Sequence, residues 1–448
     1  MKIGDLLKPG INLKRWLAFG IFGILLIAFG FTELVTHRLY SLYYKIFYMF
    51  LNITGVFVLY ISVTEIMKSV IALVNKGYIK VSLDSKKIES LIYEKRLLVK
   101  GPKIVVIGGG TGLSTMLRGL KYYTTNIAAI VTVGDDGGGS GALREDLGML
   151  PPGDIRNCIL ALADTEPIMD DLLQYRFKDG RLKNQSFGNL FLAAMDGISD
   201  NFEEAVQKMS SVLAVTGKVI PVTLDNMKLI AKLENGNVIE GESQIPEEAV
   251  EQNSKIVELM INPEDAKPLK EALQAINEAD AIVMGPGSLY TSVTPNLLVK
   301  DISKAVRKSN ALKIYISNIM TQPGETTDFK VSDHLKVLYK YGGKNIVDYV
   351  IANTGEISDE LKEKYKKENS KIVELDVDEI NSLGVKIVGE DLVKVEKGYV
   401  KHDADKLAQV LVDTIMEKKL LFDKKKIIEY MYLSQRIKQR DMNKKKNL

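Results

Sequence analysis

Lys103-Ile-Val-Val-Ile-Gly-Gly-Gly-Thr-Gly-Leu-Ser114 decides the fold. A short apolar run ends in a glycine-rich turn, and a helical pattern from Leu113 to Tyr123 follows. An unbroken apolar run of this length, stopped by glycine, reads as a strand buried on both faces, as in parallel sheets covered by helices. The same grammar recurs at Ile127 to Val133, Ala281 to Met284, Leu312 to Ile316 and Val347 to Ile351. Strands that alternate with helices predict an α/β, Rossmann-like fold with a mostly parallel sheet. The texture changes between Lys218 and Ile245. Val219 to Leu224 and Met227 to Leu233 look like strands, and an Asn235-Gly236 turn lets Val238 to Glu240 return beside them. This predicts a small antiparallel insertion at about 218–245.

The turn after the first strand has the chemistry of a phosphate loop. Glycines let the backbone approach an anion, and the free N–H groups of the next helix, with its dipole, favour negative charge. Gly109, Gly110, Thr111, Gly112 and Ser114 are the candidate contacts. Leu113 stands where the dinucleotide fingerprint has its third glycine, and no Gly-Lys-Ser/Thr ending follows, so neither an ordinary NAD site nor a P-loop is supported. A ligand-free tight turn is the plainer alternative.

A second loop, Gly134 to Gly141, also follows a strand. Its carboxylates Asp135 and Asp136 suit a ribose hydroxyl, a Mg²⁺ ion or an acid–base role, and Gly137 and Gly138 suit close backbone approach. A solvated turn is the competing reading. Pro151 to Asn157, Phe187 to Leu190, Gly285 to Ser292 and Asn318 to Thr326 add Asp154, Asn157, Asn189, Gly287, Ser288, Tyr290, Thr291 and Asn318. Each segment alone reads equally well as a turn and helix cap. Together they place the chain's special loops on one edge of one sheet, where open α/β folds bind ligands.

Composition narrows the rest. The 448 residues are 46% hydrophobic and 26% charged, enough for two or three domains with real cores. A net charge of +3 argues against a general nucleic-acid binder. The single cysteine, Cys158, excludes an intramolecular disulfide and a cysteine metal cluster, and the distant His37, His334 and His402 offer no zinc spacing. Near the N-terminus the chain is free of charge from Trp16 to Thr32 and from Ile46 to Thr64, each near the roughly 20 residues that cross a bilayer. A hairpin over 1–75 is expected, with spans at about 16–33 and 46–64. Lysines and Arg15 outside both spans predict cytoplasmic ends, hence a multi-pass membrane protein with a cytoplasmic body. A signal peptide or two buried helices are the alternatives. A linker at 76–100, a body at 101–415 and a basic tail at 416–448 complete the expected division.

The stretches Gly108 to Ser114, Asp135 to Gly141, Pro151 to Asn157, Gly188 to Leu190, Gly285 to Ser292 with Pro295-Asn296-Leu297, and Asn318 to Thr326 resemble the gluconeogenesis factor family, within the 2-phospho-L-lactate transferase-like superfamily. The resemblance covers the body and not the hairpin. It implies a Rossmann-like core, a nucleotide-sugar ligand such as UDP-N-acetylglucosamine, and a role in carbon-source-dependent wall growth and cell shape. It implies that Tyr290 helps hold the nucleotide sugar. Gly139 and Ala142 depart from the serine and arginine more usual there, which puts side-chain contacts at those two positions in doubt.

Three functions follow as alternatives. The first is a UDP-sugar-binding regulator kept near wall-synthesis proteins by the hairpin. The second is a Mg²⁺-dependent transferase moving a phospholactyl-type group from a nucleoside diphosphate adduct to a hydroxyl, with Asp135 or Asp136 holding metal or taking a proton and Arg144 or Arg156 steadying charge. The third is a membrane scaffold, which has no need of several costly glycine loops at one edge. No cofactor is fixed by the sequence, Mg²⁺ being the candidate, and a homo-oligomer is compatible with it.

Overall fold

The computed structural model describes residues 13–36, 42–75 and 101–419. It divides into two compact units, with the boundary after Arg96.

The N-terminal unit is a helical pair, Leu13–Thr36 and Leu42–Asn75. Ala18–Thr36 and Leu42–Glu65 are long and apolar enough to cross a membrane. Small residues set their packing. A Cβ on Gly23 would meet the Gly55 carbonyl at 3.0 Å, and one on Gly20 would meet Ser62 Oγ at 2.7 Å. A Cβ on Gly30 would meet Asn52 Nδ2 at 2.9 Å, so the helices run antiparallel. The outward faces carry Phe22, Leu25, Phe29, Phe50 and Phe57, all exposed. Small residues inside and large apolar ones outside is the pattern of helices that pack in lipid. A soluble core helix would hide those rings.

The second unit carries a seven-stranded parallel sheet. Its strands are β1 (Ile104–Gly108), β2 (Ile127–Val131), β3 (Lys218–Pro221), β7 (Ala281–Met284), β8 (Leu312–Ile316), β9 (Tyr349–Asn353) and β10 (Lys386–Glu390). The order is β10-β9-β8-β7-β1-β2-β3. Every residue of β1 and β7 is buried, as the unbroken apolar runs require. Chain order reverses between β1 and β7. That reversal is the topological switch point, where carboxyl-end loops splay apart and leave a crevice.

A separate three-stranded antiparallel sheet contains β4 (Lys228–Leu233), β5 (Val238–Glu240) and β6 (Ile256–Asn262), in the order β5-β4-β6. The Asn-Gly turn joins β4 to β5 as expected, with Gly236 at φ +92°. The insertion bounds differ from the sequence reading. Lys218–Pro221 pairs in parallel with β2 and belongs to the main sheet. The antiparallel unit starts at Lys228 and reaches Asn262, because β6 closes it after an intervening helix, Gln244–Glu251. A last hairpin, β11 (Val393–Glu396) and β12 (Tyr399–His402), leads into the helix Ala404–Lys418. The expected linker at 76–100 and almost all of the basic tail lie outside the described residues.

Candidate functional site

The expected helix start at Leu113 moves forward to Gly110, so the glycine loop is itself the first turn of Gly110–Leu120. Gly110 takes φ +67°, the left-handed region where a side chain is strained. Across the switch point, Gly285 takes φ +78° at the end of β7. The two loops touch. A Cβ on Gly112 would lie 2.7 Å from the Pro286 carbonyl oxygen and 3.1 Å from the Gly287 nitrogen. Only bare backbone permits that approach.

Between the loops lies a cavity of about 380 Å³ whose walls include Gly109, Gly110, Thr111, Gly112, Gly287, Ser288 and Asn318. Among the described residues, no protein acceptor takes the amide hydrogens of Thr111, Gly112, Gly287 or Ser288. Free amides at a helix start beside a second glycine loop make an anion cradle. A second cavity of about 550 Å³ adjoins it through the shared residues Ser288, Met320, Gln322 and Val400, and contains Thr291, Glu242, Glu325 and Tyr365.

The other candidates take different places. Asp136 accepts from the amides of Glu242 (3.0 Å) and Ser243 (2.9 Å), clamping the antiparallel unit to the second loop. Asp135 Oδ1 accepts from Gly137 N at 3.0 Å, while its Oδ2 lies beside Gly153. The carboxylate pair therefore separates, one member tying the backbone and the other facing Asp154. Ser114 Oγ donates to the Thr111 carbonyl at 3.0 Å, inside its own helix. Tyr290 lines neither cavity. Its ring packs edge-on against Phe329, burial pushes its hydroxyl pKa upward, and its backbone N–H donates to Glu325 at 3.1 Å. Asn157 is half-buried and Asn189 buried, neither on a cavity wall. Gly137 and Gly138 begin the helix Gly138–Leu147.

Electrostatics set the site apart. Burial first, and then the Asp135 charge, raise Asp154 to about 7, against the Gly110 amide that lies beside it. Burial raises Glu242 to about 8, helped by Asp135, Asp154 and Glu325. Burial raises Glu325 to about 7, opposed by the Tyr290 amide and the Thr291 hydroxyl. Proton-holding carboxyls near pH 7 cluster where ligands bind.

Several wall residues were missed in the sequence. Lys401 is the one lysine on the first cavity, and it is half-exposed with Glu396 3.8 Å away. His402 beside it is half-buried, and desolvation of its ring lowers its pKa to about 4, so the neutral ring donates from Nε2 to the Ser317 carbonyl at 3.2 Å. Both come from β12, far along the chain and without a loop signature. Glu242 and Tyr365 likewise sit outside the glycine-rich loops, and only tertiary folding brings them in.

Residues 104–393 match the family model described as 2-phospho-L-lactate transferase CofD. The chain belongs to this family. A Clostridium acetobutylicum protein of the gluconeogenesis-factor group is 65% identical over 448 residues, 100% of this chain and 99% of its own length. The gluconeogenesis factor of Bacillus subtilis is 46% identical over 317 residues, 70% of this chain but 99% of that protein. A crystal structure of a upf0052 family member from Bacillus halodurans superposes with a TM-score of 0.66 at 45% identity, covering 68% of this chain and 98% of that one. The α/β body is thus shared by all three relatives. The Clostridium protein also matches the segment of the apolar helices.

Proposed function

We propose that this member of the CofD family is a UDP-sugar-binding regulator required for cell-wall growth and cell shape under gluconeogenic conditions. One observation carries the reading: the glycine loops after β1 and β7 meet at the switch point with their amides unspent around one cavity. A diphosphate fits such a cradle, and the adjoining cavity has room and polar groups for a sugar. The gluconeogenesis names of its relatives support the physiological part. On this reading the two apolar helices span the bacterial membrane, with the body on the cytoplasmic side, near wall-synthesis proteins. Calorimetry of the full chain in detergent with UDP-N-acetylglucosamine tests the binding. Saturable uptake of one ligand per chain is expected, and no heat at millimolar ligand would sink it.

The family match also supports a transferase reading. Mg²⁺, the metal it implies, keeps several waters and takes only one or two carboxylates beside substrate phosphates. Among the described residues no group of three or more His, Cys, Asp or Glu is placed to hold a metal. Asp135 and Asp154 suit the sparser arrangement, since burial and then the Asp135 charge make Asp154 costly to ionise without a cation. When bound there, Mg²⁺ would supply charge neutralisation at the phosphates. Asp135 would hold it there, and the amides of Gly112 and Gly287 would hold the phosphate oxygens. Product from nucleoside diphosphate donors, lost in Asp135→Asn, would establish this reading.

A further inference from the structure

Arg156 has a buried, charged side chain without a direct partner. It is 6% exposed, and its Nε is buried without a partner. Among the described residues, no carboxylate lies within ion-pair distance of its guanidinium, and no hydrogen bond from it is seen. Asp154 and Asp135 attract it only from further off, and Arg176 repels it. Burial, the largest cause, lowers its pKa to about 10, so it remains charged at neutral pH. A buried charge without a direct partner is costly, and proteins seldom keep one idle.

The surroundings supply the reason. Three helices begin at this point, each with glycine in its first turn: Gly138–Leu147, Gly153–Leu162 and Phe187–Gly197. A Cβ on Gly188 would lie 2.9 Å from Arg156 Cδ. A Cβ on Gly153 would meet Ser140 Oγ and lie 2.7 Å from Asp135 Oδ2, a carboxylate oxygen at the rim of this pocket, and one on Gly139 would lie 2.7 Å from Gln185 Oε1. The first-turn amides of Gly138, Gly139 and Ser140, and of Gly153 and Ile155, have no protein acceptor among the described residues. Gln185, beside Gly139, has a buried side-chain oxygen without a partner, and its amide group can turn to present N–H instead. Arg156 lines neither of the cavities described above.

We infer that Arg156 and these three helix starts form a second anion site, beside the cradle at the switch point, that takes the phosphoryl group of a small metabolite. The donor count selects phosphate over carboxylate. A guanidinium fork and several free amides exceed what two carboxylate oxygens accept, whereas a phosphoryl group offers three. The inference does not depend on what occupies the first cradle.

Hydrogen exchange of the full chain in detergent, with and without inorganic phosphate, tests it. Phosphate is expected to slow exchange at the amides of 138–140 and 153–155 in the wild type. Arg156→Gln should abolish that slowing, with affinity there weakened about 10- to 100-fold, the loss of a charged hydrogen-bonded partner. Slowing at 111–113 and 287–288 should survive the substitution. Wild-type slowing confined to those cradle amides overturns this inference and leaves the proposed function standing. Slowing only at 138–155 upholds it and counts against the cradle. No slowing anywhere overturns both. Should Arg156→Gln not fold, the wild-type comparison alone decides.

Discussion

Asp154, Glu242 and Glu325 hold their protons to about 7, 8 and 7, although free carboxyls release them near 4. A carboxyl raised on folding binds more protons in the native than in the unfolded state. Its contribution is therefore complete below pH 4 and lost as pH rises through 7 to 8. The ligand-free protein should melt at progressively lower temperature from pH 5 to pH 8.5. Asp154→Asn should flatten that slope and stabilise the protein at pH 8 by on the order of 2 kcal/mol. Thermal melts across pH check it, and a variant slope equal to the wild type would refute the assignment. An anionic ligand placed beside these groups should bind more tightly at pH 6 than at pH 8.5, as calorimetry at the two pH values would show. Not all of this was legible in the residues. Asp135 and Asp154 stood in recognisable loops, but the parting of Asp135 from Asp136 follows from the amides of Glu242 and Ser243, which no local pattern announces.

At the scale of elements, the parallel strands were plain because central strands bury both faces and so read as apolar runs. β3 was misplaced because its four residues, one of them exposed, carry the same β-rich look as the antiparallel strands that follow. One wall of the first cavity comes from β12, and the helix that follows it, Ala404–Lys418, packs against Gly110–Leu120. There Gly119 meets the Ala404 carbonyl so closely that any Cβ would collide. Gly119→Val should push the last helix away and destabilise the body by about 1–3 kcal/mol. Because Val400, Lys401 and His402 immediately precede that helix and line the cavity, ligand affinity should fall as well. A variant that loses stability in denaturant titrations yet binds ligand as the wild type does would separate the two elements.

For the molecule as a whole, the decisive question is which side of a membrane each unit meets, and the chain carries its own control for asking it. Cys158 is the only cysteine, and it is buried, with burial and then the Asp154 charge pushing its thiol well above the ordinary range. A buried, protonated thiol reacts slowly with maleimides, so background labelling should be low. On the proposed topology, with both ends of the hairpin cytoplasmic, the C-terminal end of the first span would face outward. Thr36→Cys should therefore react with a membrane-impermeant maleimide in intact cells, whereas Lys397→Cys, on an exposed turn of the body between β11 and β12, should react only after lysis. Labelling of Lys397→Cys in intact cells would invert the topology. Labelling of neither before lysis would mean that the apolar pair does not cross, leaving the exposed phenylalanines of both helices to be covered by something other than lipid.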